Sequence, residues 1–457
     1  MSPYARTLAA FALAPMLALL ATTAGAEETA PKPAPCGIGA YRLAGGDEVV
    51  VQPSAGASLR WRRFDGTSGA LTEGAGGVWT STLGWTKKPD GKTISFDCAK
   101  GAIAFDGVEG RRIDFDVAET RFDSAGAALA GRLVMPKGSG AAPIVVLLHG
   151  SERDSAMRFN ALQRLLPARG VGVFVYDKRG TGASSGSYTQ DFSILADDAV
   201  AAMREARRLA GARAGRIGYQ GPSQGGWVAP LAASRAPVDF VVVGFGLAVS
   251  PLEEDRSAIV LDMERRGYGP DVMAKAMELA DASAALVTSD FKTDFKASFD
   301  RFDAVRTKYR GEPWFKHVRG NFTFMLLNAD AQQIREAAAQ YVVDTPWRYD
   351  PMPVLRTLKT PELWMLGADD LAAPSAETIR RLKELAAQGR PITTAVFPRA
   401  DHGVYEYETT AAGERLSTRN PEGYFRMMAD YIRDGRLSGA YGASTITAPA
   451  VKAARGG

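Results

Sequence analysis

The chain has 457 residues, 46% hydrophobic and 23% charged, the balance of a folded protein with room for two or three domains. Its 55 Lys and Arg against 51 Asp and Glu leave a net charge of +4 and no dense basic run, which argues against nucleic-acid binding. Three histidines and two cysteines argue against a zinc or iron–sulfur centre, so no metal is expected.

In chain order, residues 1–26 have the form of a secretory signal. Arg6 is followed by an apolar stretch from Leu8 to Leu20, then Ala24-Gly25-Ala26 as a cleavage site and acidic Glu27-Glu28. The stretch is short and holds Pro15, so a cleaved leader is preferred to a membrane anchor. The expected location is periplasmic or secreted, with no stable membrane insertion after the leader is removed. Cys36 and Cys98, an even pair in an exported chain, are expected to form a disulfide.

Residues 27–116 are expected to form a β-rich module after a Pro- and Ala-rich linker. Short runs at Glu48–Val51, Leu59–Phe64, Thr93–Phe96 and Ala102–Phe105 alternate with Gly, Asp and Pro turns, and Trp61, Trp79 and Trp85 are its candidate core. From residue 117 to 250 strands alternate with helices. Ile144–Leu148 is uniformly apolar, as a central strand covered on both faces must be. Leu195, Ala199, Ala202, Ala206 and Leu209 mark one face of a helix. Residues 251–350 interrupt this rhythm with helical spacing and a cluster of aromatics, and read as a helical cap. The alternation resumes over 351–436, where a final helix is expected to begin at Asn420-Pro421 and end at Gly435. Residues 437–457 read as a loose tail.

Gly221-Pro222-Ser223-Gln224-Gly225-Gly226 follows the strand ending at Gln220 and opens a helix. This G-x-S-x-G turn in a strand-to-helix context is a nucleophile elbow, with Ser223 as nucleophile. A hydroxyl needs a base. His149 ends the central strand and His317 falls in the cap, so His402, in Ala400-Asp401-His402-Gly403, is the expected base. The acid belongs after the strand Leu363–Leu366, where Asp369 and Asp370 compete. Asp370 is preferred on the Gly-x-x-Asp spacing from Gly367. The oxyanion donors are expected from the N–H groups of Gln224 and Ser151. Tyr176-Asp177-Lys178-Arg179-Gly180-Thr181-Gly182 lacks the phosphate-loop lysine pattern and reads as a loop shaping the site floor, with Asp177 and Arg179 in structural hydrogen bonds. Trp314, Phe315 and Trp347 are candidates for a substrate wall or for cap core.

Together these residues resemble the α/β-hydrolase superfamily, in its bacterial serine esterase-like branch. The resemblance covers about residues 117–436 apart from the cap. It implies an eight-stranded, mostly parallel sheet with helices on both faces, and a serine acyl-enzyme mechanism without a cofactor, acting on a small-molecule ester or acyl substrate. A peptidase of the prolyl-oligopeptidase type and a thioesterase are the alternatives. The module before residue 117 is too short for the propeller such peptidases carry. A non-catalytic binding protein on the same scaffold would have no use for an intact Ser, His and Asp set.

Overall fold

The computed structural model describes residues 36–54, 58–289, 294–341 and 344–449. The leader-like stretch, the linker and the end of the tail lie outside them. No helix among the described residues is long and apolar enough to cross a membrane.

The N-terminal strands close into an antiparallel eight-stranded barrel: β1 (Gly39–Leu43), β2 (Glu48–Pro53), β3 (Leu59–Arg63), β4 (Ser68–Glu73), β5 (Trp79–Leu83), β6 (Pro89–Asp97), β7 (Ala102–Phe105) and β8 (Val108–Ile113). β8 returns to β1, pairing Arg112 with Tyr41, so no edge is left open. Alternation divides the residues between two interiors. Val49 and Val51 point into the barrel with Trp61 and Trp79, whereas Val50 and Ala40 pack on the neighbouring domain. Trp85 leaves the expected barrel core. Its ring stands on Tyr405 of the other domain, with centroids 4.6 Å apart. Cys36 and Cys98 are joined by a disulfide.

The second domain is a mixed sheet of β9 (Phe115–Ser124), β10 (Ala127–Pro136), β11 (Ala142–Leu147), β12 (Gly172–Tyr176), β13 (Ala214–Pro222), β14 (Phe240–Gly244), β15 (Glu362–Gly367) and β16 (Ile392–Phe397). Their order is β9-β10-β12-β11-β13-β14-β15-β16, with the six strands from β12 to β16 parallel. The central strands are buried on both faces. Ile144, Val146 and Leu148 pack under the helices Phe192–Ala210 and Gly225–Arg235, while Val145 and Leu147 pack with the helix Tyr424–Asp434. The first of those helices is capped by Asp191, whose carboxylate accepts from the N–H groups of Ser193 and Ile194.

Two expectations need correction. The tail is not loose throughout. Thr445–Thr447 forms a short strand, β20, antiparallel to β16, and Tyr441 is buried, so the sheet has nine strands rather than eight. The last helix begins at Tyr424 rather than at Asn420-Pro421. The Asn420 side chain is used elsewhere, donating to the carbonyls of Gly403 and Val404. A small antiparallel sheet, β17 (Ala400–Asp401), β18 (Tyr405–Thr409) and β19 (Arg415–Arg419), lies between β16 and that helix.

Between β14 and β15 the chain builds helices Pro251–Arg265, Pro270–Val287, Phe295–Tyr309, Phe322–Leu327 and Ala331–Tyr341. Ser250 and Glu253 form a reciprocal capping box at the start of the first. These helices share their own hydrophobic cluster and make up the inserted segment, called the cap below.

Candidate active site

The parallel strands β13 to β16 end along one edge of the sheet, and each sends a loop into the same region. Ser223 sits at the turn after β13 with φ +49°, a conformation that L-residues avoid unless the surroundings impose it. Ser223 N–H donates to the Gly244 carbonyl at the end of β14. A Cβ on Gly221 would lie 2.3 Å from the Gly225 carbonyl oxygen, so the sharp turn requires glycine there. The helix Gly225–Arg235 then starts behind the serine.

The loop after β15 carries Asp370, which is buried. Its Oδ1 accepts from the N–H groups of Ala372 and Ala373, at 3.0 and 2.7 Å, and its Oδ2 lies 2.9 Å from His402 Nδ1. The carboxylate is therefore aimed by backbone donors on one oxygen and bonded to the imidazole on the other. Asp369 points away and accepts from Tyr407 Oη at 2.7 Å. Phe245, following β14, packs edge-on against the His402 ring with centroids 5.0 Å apart. Asp401 accepts from the N–H groups of both His402 and Leu371, tying the two loops together.

The loop after β11 passes beside the serine, and a Cβ on Gly150 would be 3.5 Å from Ser223 Cβ. Ser151 and Gln224 thus flank Ser223 from two chain segments. The other two histidines are engaged elsewhere. His149 Nε2 bonds to the Tyr176 carbonyl at 2.7 Å, and burial, aided by the nearby Lys178 charge, holds its pKa down. His317 pairs with Tyr268 Oη in the cap.

The family model for serine aminopeptidase S33 matches residues 140–409, more than half of the chain. The chain belongs to this family of serine hydrolases, in the α/β-hydrolase superfamily. No curated protein matches the sequence. Similar solved structures include an esterase of Pyrococcus furiosus, at 14% identity and a TM-score of 0.39, covering 63% of this chain and 83% of that one. An acylaminoacyl peptidase of Pyrococcus horikoshii is 14% identical, with a TM-score of 0.41 over 86% of this chain and 56% of that one. An esterase of Thermogutta terrifontis is 21% identical, with a TM-score of 0.35 over 63% and 92%.

In this S33-family chain two charged residues, one beside His402 and one beside Gln224, were not singled out from sequence. Glu254, in the first turn of the cap helix Pro251–Arg265, is mostly enclosed and bonds to Asn321. Asn321 Nδ2 in turn donates to the Ala372 carbonyl in the Asp370 loop. Burial pushes the Glu254 carboxyl up to about 8; the nearby His402 charge opposes this, and Asp370 and Asp255 add to it. For His402, burial disfavours the charged ring, but Asp370, Glu254 and Asp401 outweigh it and raise its pKa to about 9. Nothing in the Glu-Glu-Asp run at 253–255 distinguishes Glu254 from an ordinary solvated helix start. Lys178 had a weak signal: it is a charged residue two positions after a uniformly apolar strand.

Trp314, Phe315 and Trp347 belong to the cap's own hydrophobic cluster. Trp314 is buried against Tyr309, and Trp347 packs on Phe322. Their placement gives the substrate-wall reading no support, because the rings are spent on holding the cap helices together. Asp177 accepts from Ser155 Oγ and from the N–H groups of Met157 and Ala183. Arg179 forms a buried bidentate pair with Asp198.

Proposed function

We propose that this serine hydrolase cleaves carboxylic esters through an acyl-enzyme, with Ser223 as nucleophile, His402 as base and Asp370 as its orienting acid. The observation that carries the reading is the 2.9 Å bond from His402 Nδ1 to a buried, backbone-anchored Asp370, on the same sheet edge as the strained Ser223 turn. In this scheme Ser223 Oγ attacks the acyl carbon as His402 Nε2 takes its proton. The oxyanion is held by the N–H groups of Gln224 and Ser151. His402 returns the proton to the leaving alcohol, and a water activated by the same ring releases the acid.

A panel of esters of increasing acyl length, assayed on wild type and on Ser223→Ala, tests this. The alanine variant should lose about four or more orders of magnitude in turnover. Asp370→Asn should lose about 10⁴-fold in kcat. Asp369→Asn should stay within about tenfold, because its carboxylate serves Tyr407. An Asp369 effect as large as that of Asp370 would reassign the acid.

One observation favours a second reading. Glu254 places a carboxyl group beside His402, where it would suit a substrate with a cationic amino group. Aminoacyl amides assayed beside the esters separate an aminopeptidase from an esterase. Export is part of the proposal. The Cys36–Cys98 disulfide supports an oxidising compartment, in keeping with the leader-like residues 1–26.

A further inference from the structure

Lys178 is one of the most enclosed side chains in the molecule, 1% exposed, and the mechanism above gives it no task. It follows β12 on the same sheet edge as Ser223. Its Nζ donates to the Gly150 carbonyl at 2.6 Å and to the Glu152 carbonyl at 3.2 Å, and lies 3.5 Å from Gln224 Oε1. All three partners are neutral oxygens, none a carboxylate. A buried ammonium held by carbonyls is costly to desolvate, and the nearest carboxylate, that of Glu152, bonds the Gly150 N–H rather than the ammonium and offsets its field only in part.

Two of those oxygens belong to the segments that flank the nucleophile. The Gly150 carbonyl and the Ser151 N–H are opposite ends of one planar, conjugated peptide group. A cation on the oxygen draws electron density through the amide, which makes the N–H a stronger donor. Gln224, the residue after the nucleophile, has its side-chain oxygen at the same ammonium.

We propose that Lys178 is a positioning residue of the oxyanion hole, fixing the Gly150–Ser151 peptide and Gln224 and strengthening the Ser151 N–H donor by its buried charge. The inference rests on the acyl-enzyme reading with Ser151 as a donor. Lys178 stays protonated throughout the cycle and transfers no proton. The charged and titratable groups facing it are Glu152 and Arg153 on the following loop, His149 at the end of the central strand, and the Tyr188 ring, whose centroid is 5.1 Å from Nζ. Burial pulls its pKa down to about 8, with Glu152 opposing and Arg153 adding.

Lys178→Gln keeps a hydrogen-bond donor and removes the charge. On p-nitrophenyl acetate, kcat should fall about tenfold or more while KM stays within about twofold, since the interaction matters where negative charge develops. A trifluoromethyl ketone, which forms a charged tetrahedral adduct, should lose affinity in parallel. Equal kcat and equal inhibitor affinity in the Gln variant, or a rise in KM alone, overturns the proposal. A wild type that neither binds the ketone nor is labelled at Ser223 by a fluorophosphonate overturns the acyl-enzyme reading itself, and this inference with it. Lys178→Arg decides the matter if the Gln variant does not fold. It keeps the charge, so it should retain most of kcat and of the ketone affinity. A folded arginine variant that loses kcat and ketone affinity by about tenfold or more also overturns the proposal.

Discussion

At the scale of single residues, the site is a set of charges placed around one imidazole. In the proposed mechanism His402 must be neutral to accept the Ser223 proton, and its pKa, raised to about 9, keeps it protonated at neutral pH. The acid limb of kcat/KM should therefore lie well above the ordinary histidine value of 6.5. Glu254 adds to this once its own carboxyl ionises, above about pH 8. Glu254→Gln removes that support and should move the limb to lower pH, raising kcat/KM at about pH 8–9 and changing it little at pH 7, where the Glu254 carboxyl carries no charge. A pH profile of both proteins between about pH 6 and 10 checks this, and an unmoved limb would remove Glu254 from the electrostatics of the site. The proposed set of Ser223, His402 and Asp370 could be drawn from the sequence because such chemistry demands residue types at chain positions that a motif can specify, and the His402–Asp370 bond is in keeping with it. Glu254 and Lys178 were not, because their significance comes from enclosure. A carboxylate in a solvated helix turn and one facing an imidazole look alike in one dimension.

Between the barrel and the catalytic loops stands the hairpin β18–β19, whose importance the sequence disguises. Tyr405-Glu406-Tyr407-Glu408-Thr409 alternates as a strand should, but neither face is aliphatic, so the pattern points to no core. The structure gives each aromatic a partner on a different side. Tyr405 meets Trp85, which lies under the guanidinium of Arg60, 4.1 Å from its centroid. Trp85 N–H also donates to the Ser417 carbonyl. Tyr407 bonds to Asp369, and Arg415, beneath the Tyr407 ring, pairs with buried Asp401, the residue that binds the His402 and Leu371 amides. A chain of direct contacts thus runs from the barrel to both loops. Trp85→Ala should lower kcat by roughly tenfold with little change in KM, and speed amide exchange at residues 400–404. Full kcat in a folded Trp85→Ala protein would mean that the hairpin holds the loops without the barrel. The misplaced start of the last helix has the same origin: Asn420 looked like a helix cap, and tertiary structure recruited it to hold Gly403 and Val404.

Over the whole molecule, the sheet separates its functional edge from a stabilising one. At the opposite end of β15 from Asp370, Glu362 is fully buried, with one carboxyl oxygen bonded to Trp364 Nε1 and the other without a protein partner among the described residues. Burial pushes its pKa from 4.5 to about 8, so the fold holds the proton more tightly than the unfolded chain does. That contribution is complete below pH 4.5 and is lost as the pH rises through about 8. At alkaline pH the fold must ionise a carboxyl that has no cationic partner among the described residues, and it loses stability for that reason. Glu362→Gln should raise Tm by a few degrees at about pH 9 and change it little at pH 5, as thermal unfolding at the two pH values would reveal. The strand-and-helix rhythm of the sheet was legible because buried parallel strands are uniformly apolar. The docked tail was not, since Thr445-Ile446-Thr447 carries too few apolar residues to announce a strand and acquires its form only from β16.

That last strand bears on solubility. Three residues of β20 occupy hydrogen-bonding positions along β16 that would otherwise face outward as a ready template for another chain. A protein cut after Leu437 would keep Ser223, Asp370 and His402 and expose a sticky flank beside them, so its first defect should be self-association rather than loss of chemistry.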